Sequence, residues 1–171
     1  MNHFRARFTQ LAIASSLLAC NAEPKDADEA PVLSFDVARV RLVNGTDTTQ
    51  VHVELAKTPE QQTLGLMERR HLADTAGMLF LYSANQPASA GFWMFRTRIP
   101  LDIAFVDSLG RIVSIIHMVP CTSTLVEGCP SYPPNAAYRA ALEVSAGYFA
   151  RHKLALGDRV MLSDSSQRVR R

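Results

Sequence analysis

The feature that most constrains this chain is a succession of short apolar or β-branched runs, each closed off by turn-forming residues. Gly77–Tyr82, Gly91–Phe95, Leu101–Val106 and Arg111–Val119 are such runs. They are too short for an amphipathic helix to bury a useful stripe and are the right length for strands. Upstream, Ala38, Val40 and Leu42 alternate with Val37, Arg39, Arg41 and Val43, and Val51, Val53 and Leu55 alternate with His52 and Glu54. This period of two around Asn44-Gly45 predicts paired strands, a hairpin with a long loop. Asp107–Gly110 reads as another hairpin connection, and Tyr138–Val144 and Arg159–Leu162 as further strands. Thr58-Pro59-Glu60-Gln61 is a helix start, with Thr58 as the cap, Pro59 at the first helical position and Gln61 completing a capping box. Gly65 ends that helix after about two turns. Tyr148–His152 reads as one further helical turn. Seven or eight short strands, two minor helices and no long amphipathic helix predict a mainly β sandwich or partly closed barrel.

The N-terminus carries a different signal. Arg5 and Arg7 precede an apolar run from Leu11 to Leu18, and Leu17-Leu18-Ala19-Cys20 resembles the lipobox of bacterial lipoproteins. Residues 1–19 are therefore expected to direct export, with Cys20 carrying the lipid. Residues 20–31, polar and without an apolar side chain larger than alanine, form a tether. Residues 32–163 form a single β domain, and residues 164–171 a basic tail. Asn21 after the cysteine, rather than Asp, favours the outer membrane. The expected address is thus the periplasmic or outer side of a membrane, held by acyl chains that contribute about 0.8 kcal/mol per buried methylene. Lys and Arg number 18 against 16 Asp and Glu, and loss of Arg5 and Arg7 brings the two into balance. A near-neutral domain lacks the basic footprint of a nucleic-acid binder.

Export also governs the other two cysteines. Cys121 and Cys129 sit eight apart, and an even pair at close range in an oxidising compartment is expected to form a disulfide. Redox or metal roles ordinarily need Cys-x-x-Cys or more ligands.

Several short motifs occur together and in order: Glu54, Thr58-Pro59-Glu60-Gln61, Gly65-Leu66-Met67, Gly77-Met78-Leu79-Phe80, Phe92-Trp93-Met94, Ile99-Pro100-Leu101-Asp102-Ile103, Asp107, Gly110, Cys129-Pro130, Glu143, Ala146-Gly147 and Gly157-Asp158. Across residues 35–162 this pattern resembles the bacterial and archaeal domain of unknown function 192 family. The resemblance implies a jelly-roll-like, mainly β domain of short, largely antiparallel strands, often exported, with no established activity. The family commonly continues Phe-Trp-Met with Lys-Asn-Thr. This chain has Phe95-Arg96-Thr97 instead, so any role for that lysine does not carry over.

Candidate chemistry centres on Asp102, which begins an otherwise apolar strand. Its burial needs a partner, and Arg96, Arg98 or Arg69 are the available cations. One reading makes Asp102 the polar floor of a ligand pocket beside Trp93; the other has it bonding backbone amides of the Ile99-Pro100 turn. Trp93, the one tryptophan, is either a stacking platform for a sugar or other flat ligand, or core. Met67, Met78, Met94 and Met118, with His52, His71, His117 and His152, invite a copper reading. They form no ligand-spaced cluster, so neither metal nor cofactor is expected. A hydrolytic acid/base pair is available in principle from Glu54, Asp102, Asp107 and Glu143. The expectation is a membrane-tethered binding or accessory module for a small molecule, glycan or protein, with Trp93, Arg96, Arg98, Asp102 and Arg69 as its site. The alternative is an envelope hydrolase acting on glycan or peptidoglycan.

Overall fold

The computed structural model describes residues 33–163, and the export segment, the tether and the basic tail lie outside the described residues. Seven strands form one mixed sheet: β1 (Asp36–Asn44), β2 (Asp47–Ala56), β3 (Ala76–Gln86), β4 (Leu101–Val106), β5 (Ile112–Met118), β6 (Tyr138–Ser145) and β7 (Arg159–Leu162). Two short helices join them, α1 (Pro59–Leu64) after β2 and α2 (Tyr148–Arg151) after β6. Across the sheet the order is β5-β4-β6-β3-β2-β1-β7. Only β2 and β3 run parallel, because α1 and the segment after it carry the chain back to the same end of the sheet.

The two edge strands meet at one corner. Arg111 bridges Arg159, the Val160 amide donates to Gly110 O at 2.8 Å, and the Ile112 amide donates to Asp158 O at 2.8 Å. The sheet therefore curls so that its edges touch at this corner without closing, and they do not ladder further.

All seven strands contribute to the inner core, which includes Val40, Leu42, Val53, Leu79, Leu142 and Val160 and is plugged by Tyr148 and Phe149 of α2. In β1 the alternation is realised as read: Ala38, Val40 and Leu42 face in while Val37, Arg39 and Arg41 stay exposed. A second core lies on the outer face, where Met78, Phe80, Leu101, Ile103 and Phe105 pack under the connections that follow β2, β3 and β5. Strand β4 is consequently buried at every position, which is why Leu101–Val106 shows no alternation.

Helix α1 starts as the sequence dictates. The Gln61 amide donates to Thr58 Oγ1, and Gln61 Oε1 accepts from the Thr58 amide at 3.1 Å, a complete capping box with Pro59 in the first turn. Two expectations need correction. The β1–β2 connection is a tight turn at Gly45-Thr46, since Asn44 pairs directly with Asp47 and Gly45 takes φ +57°. Residues 91–95 form no strand, and their one β-bridge is Phe92 with Tyr132. That segment is apolar on both sides because it lies as a cover over the outer core.

Candidate functional site

The polar residues expected around Trp93 go elsewhere. Asp102 lies on β4 at the inner side, with Oδ1 2.8 Å from His117 Nδ1 and Oδ2 accepting the Gly147 amide at 2.8 Å. It thus fixes the start of α2, close in kind to the backbone-bonding reading, though the amide belongs to Gly147 and not to the Ile99-Pro100 turn. Arg96 and Arg98 both pair with Glu68. In Arg69, one guanidinium nitrogen, Nη2, donates to both oxygens of Glu54 at 2.8 and 2.7 Å. The structure does not bring these four side chains together with Trp93.

Arg96 and Glu68 are also joined through their backbones. Both residues are left-handed, at φ +55° and +60°, and the Glu68 amide donates to Arg96 O at 2.8 Å. The Arg96 Nε to Glu68 ion pair, at 2.8 Å, spans the same two residues.

Trp93 is 43 % exposed and lines a pocket of about 260 Å³ on the outer face of the sheet. Strands β3 and β6 supply the floor through Phe80, Tyr82 and Glu143. Gln62, Thr63 and the turn after α1 form one wall, and Phe92, Trp93, Phe95 and Thr97 of the covering segment form the other. The covering segment is held close by glycine: a Cβ on Gly91 would meet Ser131 Oγ at 2.3 Å and Pro133 N at 2.9 Å. Behind the pocket the rings pack edge to face, Phe80 on Phe92 at 4.9 Å and Tyr82 on Tyr138 at 5.6 Å, which is the favoured aromatic geometry.

Glu143 is the one carboxylic acid among the described residues lining this pocket. It is 4 % exposed, and burial alone pushes its pKa up to about 8, with no hydrogen bond from any described residue acting on it. Tyr82 is raised as well, first by burial and then by Tyr138 and Glu143. In register, Glu143 stands beside Met78 on β3, which stands beside Glu54 on β2, so the two glutamates share a face with a buried methionine between them. Asp102 is paired with Val144, one position on, and projects to the opposite side. A solitary, largely neutral carboxyl among aromatic rings can donate one hydrogen bond as the acid or balance one positive charge as the carboxylate.

The methionines weighed for copper serve as packing. Met78, Met94 and Met118 are fully buried in the outer core, and Met67 lines the pocket. The Cys121–Cys129 disulfide is formed, with Cα atoms 5.6 Å apart. Read from the sequence, Glu143 has a chemical role only as a possible hydrolytic acid, and Phe80, Tyr82 and Phe92 have none in a pocket. The available signal was an acid inside Ala141-Leu142-Glu143-Val144, the same oddity that drew attention to Asp102.

Fold and site together define a curled seven-stranded β domain with an acid-floored aromatic pocket on the outer face of its sheet. The chain belongs to the domain of unknown function 192 family, DUF192, described as Uncharacterized ACR, whose model matches residues 40–162. Two solved structures are similar, each at 34 % identity with a TM-score of 0.67 over 77 % of this chain. One is a protein of Sinorhizobium meliloti 1021 provisionally described as a transcription regulator, covered over 97 % of its length. The other is a protein of unknown function from Novosphingobium aromaticivorans DSM 12444, covered over 89 %. No curated protein matches the chain.

Proposed function

We propose that this protein is a lipid-anchored envelope protein whose β domain binds a small organic ligand in the Trp93–Glu143 pocket and carries out no chemistry on it. The observation that carries the binding reading is Glu143, a largely buried carboxyl that lines an aromatic pocket and takes no hydrogen bond from the described residues. No fully buried side-chain oxygen or nitrogen among the described residues lacks a hydrogen bond, so the Glu143 carboxyl opens to the pocket and is free to meet a ligand there. Concave, mainly apolar sites with one or two fixed polar groups are the usual form of small-molecule sites, and a pocket of this size suits a small molecule or a single ring better than a protein surface. The hydrolase alternative needs a second carboxylate across the same cleft. None lines the pocket, Asp102 faces the other side, and Glu54 is held by Arg69.

Anchoring through Cys20 rests on the lipobox-like sequence, and the Cys121–Cys129 disulfide supports an oxidising compartment. A thermal-shift panel of monosaccharides, amino acids, alkylamines and small aromatic alcohols tests the binding reading. A saturable rise in Tm that Glu143→Gln and Trp93→Ala both abolish is expected, whereas turnover lost in Glu143→Gln with the fold intact would replace binding with hydrolysis. Mass spectrometry of the protein from its native host should find diacylglycerol on Cys20; an unmodified cysteine there removes the anchor.

A further inference from the structure

We infer that the ligand of this pocket is an organic cation of the alkylammonium class, with the Glu143 carboxylate as its counter-ion and the rings of Phe80, Tyr82, Phe92, Trp93 and Phe95 around it. The inference rests on the small-ligand reading and narrows it. Three observations lead there. First, Glu143 is the only carboxyl among the described lining residues and has no hydrogen bond from any described residue, while none of those lining residues is a Lys, Arg or His. Arg69, Arg96 and Arg98, which flank lining segments in sequence, are each tied to a glutamate outside it, and Arg139, four residues before Glu143, donates to the Tyr82 carbonyl. With these cations committed, the Glu143 carboxyl is open to a cation that arrives from solution. Second, five of the lining side chains are aromatic, and a cation near such rings gains about 0.5–2 kcal/mol from their quadrupoles. Third, the lining does not make a calcium cage. Calcium takes six to eight oxygen ligands, and one carboxylate with Gln62, Thr63 and Thr97 falls short of that number. About 260 Å³ is also far more than a lone ammonium needs, which favours a branched, alkylated head.

Binding carries a proton. The acid form predominates below its pKa of about 8, so seating a cation releases one proton from Glu143 to solvent. The titratable groups that reach it are few: Tyr82 on β3, with Tyr138 of β6 packed on that ring, and the Glu54–Arg69 pair beyond Met78. Gln62 and Thr63 of α1 and Thr97 of the covering segment add no charge. Apparent affinity should therefore rise with pH by up to about tenfold per unit as Glu143 ionises, and level off above pH 8.

Trp93 is the only tryptophan, so its emission reports on the pocket directly. The test titrates the full mature chain at pH 8 with choline and with 3,3-dimethylbutan-1-ol, its uncharged isostere, at matched ionic strength. The expected result is a saturable change with choline, binding of the alcohol at least about tenfold weaker, and a loss of at least about tenfold for choline in Glu143→Gln. Calorimetry in two buffers of different ionisation heat should show proton release in the wild type and none in Glu143→Gln, whose melting curve reports the integrity of its fold. Equal binding of choline and the alcohol, or full choline affinity in a folded Glu143→Gln variant, overturns the cation assignment while leaving the small-ligand reading intact. Silence towards choline also overturns it; silence of the whole thermal-shift panel as well removes both.

Discussion

At the scale of single residues, two acids in apolar strands have opposite fates. Glu143 is neutral when folded up to about pH 8, while an unfolded glutamate ionises near 4.5. Between those values the unfolded chain has released a proton that the folded protein keeps, so stability falls as pH rises through the window, by at most about 1.4 kcal/mol per pH unit, and is constant above it. Glu143→Gln removes this slope. Urea denaturation of the ligand-free protein from pH 4.5 to 8 should show the variant gaining on the wild type with rising pH, and parallel curves would refute the burial of a protonatable Glu143. Asp102, by contrast, is committed to structure through Gly147 and His117. Asp102→Ala leaves the Gly147 amide without its acceptor and should cost about 1–3 kcal/mol by the same denaturation assay, without altering ligand response in the pocket on the other face. A loss of ligand response at unchanged stability would restore Asp102 as the pocket floor.

At the scale of elements, the pocket depends on how closely β3 approaches β6. Gly77 pairs with Val144, and a Cβ there would lie 2.5 Å from the Glu143 carbonyl oxygen and 3.1 Å from Val144 Cγ1. Backbone cannot swing aside as a side chain does, so Gly77→Ala should destabilise by about 1–3 kcal/mol and displace the strand that carries Glu143. Thermal melting together with the choline titration reads both effects, and an unchanged Tm would contradict the close packing. The same elements differ in how legible they were. The capping box at Thr58 and Gln61 and the alternation in β1 were plain, because they depend on neighbours within a turn or on period two alone. The parallel β2–β3 pairing was not, because nothing in either strand states which distant strand will be its neighbour. The 91–95 segment misled for a related reason: two apolar faces mark a central strand and a covering loop alike, and only Gly91 hints at the close approach that makes it a cover.

At the scale of the whole molecule, the covering segments make the site. Cys121 packs against the outer core and its amide donates to Met94 O at 3.3 Å, so the disulfide loop is fastened to the same segment that carries Trp93. The Tyr132 hydroxyl, accepting from the Val119 amide at 3.3 Å, and the Phe92–Tyr132 bridge complete the clasp. Reduction removes a constraint worth about 2.5 kcal/mol for a loop of this length. Tm should fall in reductant, with a shift in Trp93 emission as the cover loosens, and an emission spectrum indifferent to reduction would show that the clasp does not hold the pocket. Short-range physics let the chain by itself determine its strands, its first helix cap and the pairing of Cys121 with Cys129. Only the tertiary structure decided that Glu143 faces an aromatic pocket while Asp102, one strand away, faces His117. Strand parity says which residues share a side, but which side is walled by rings and which by a helix start depends on segments remote in sequence, placed by the curl of the sheet.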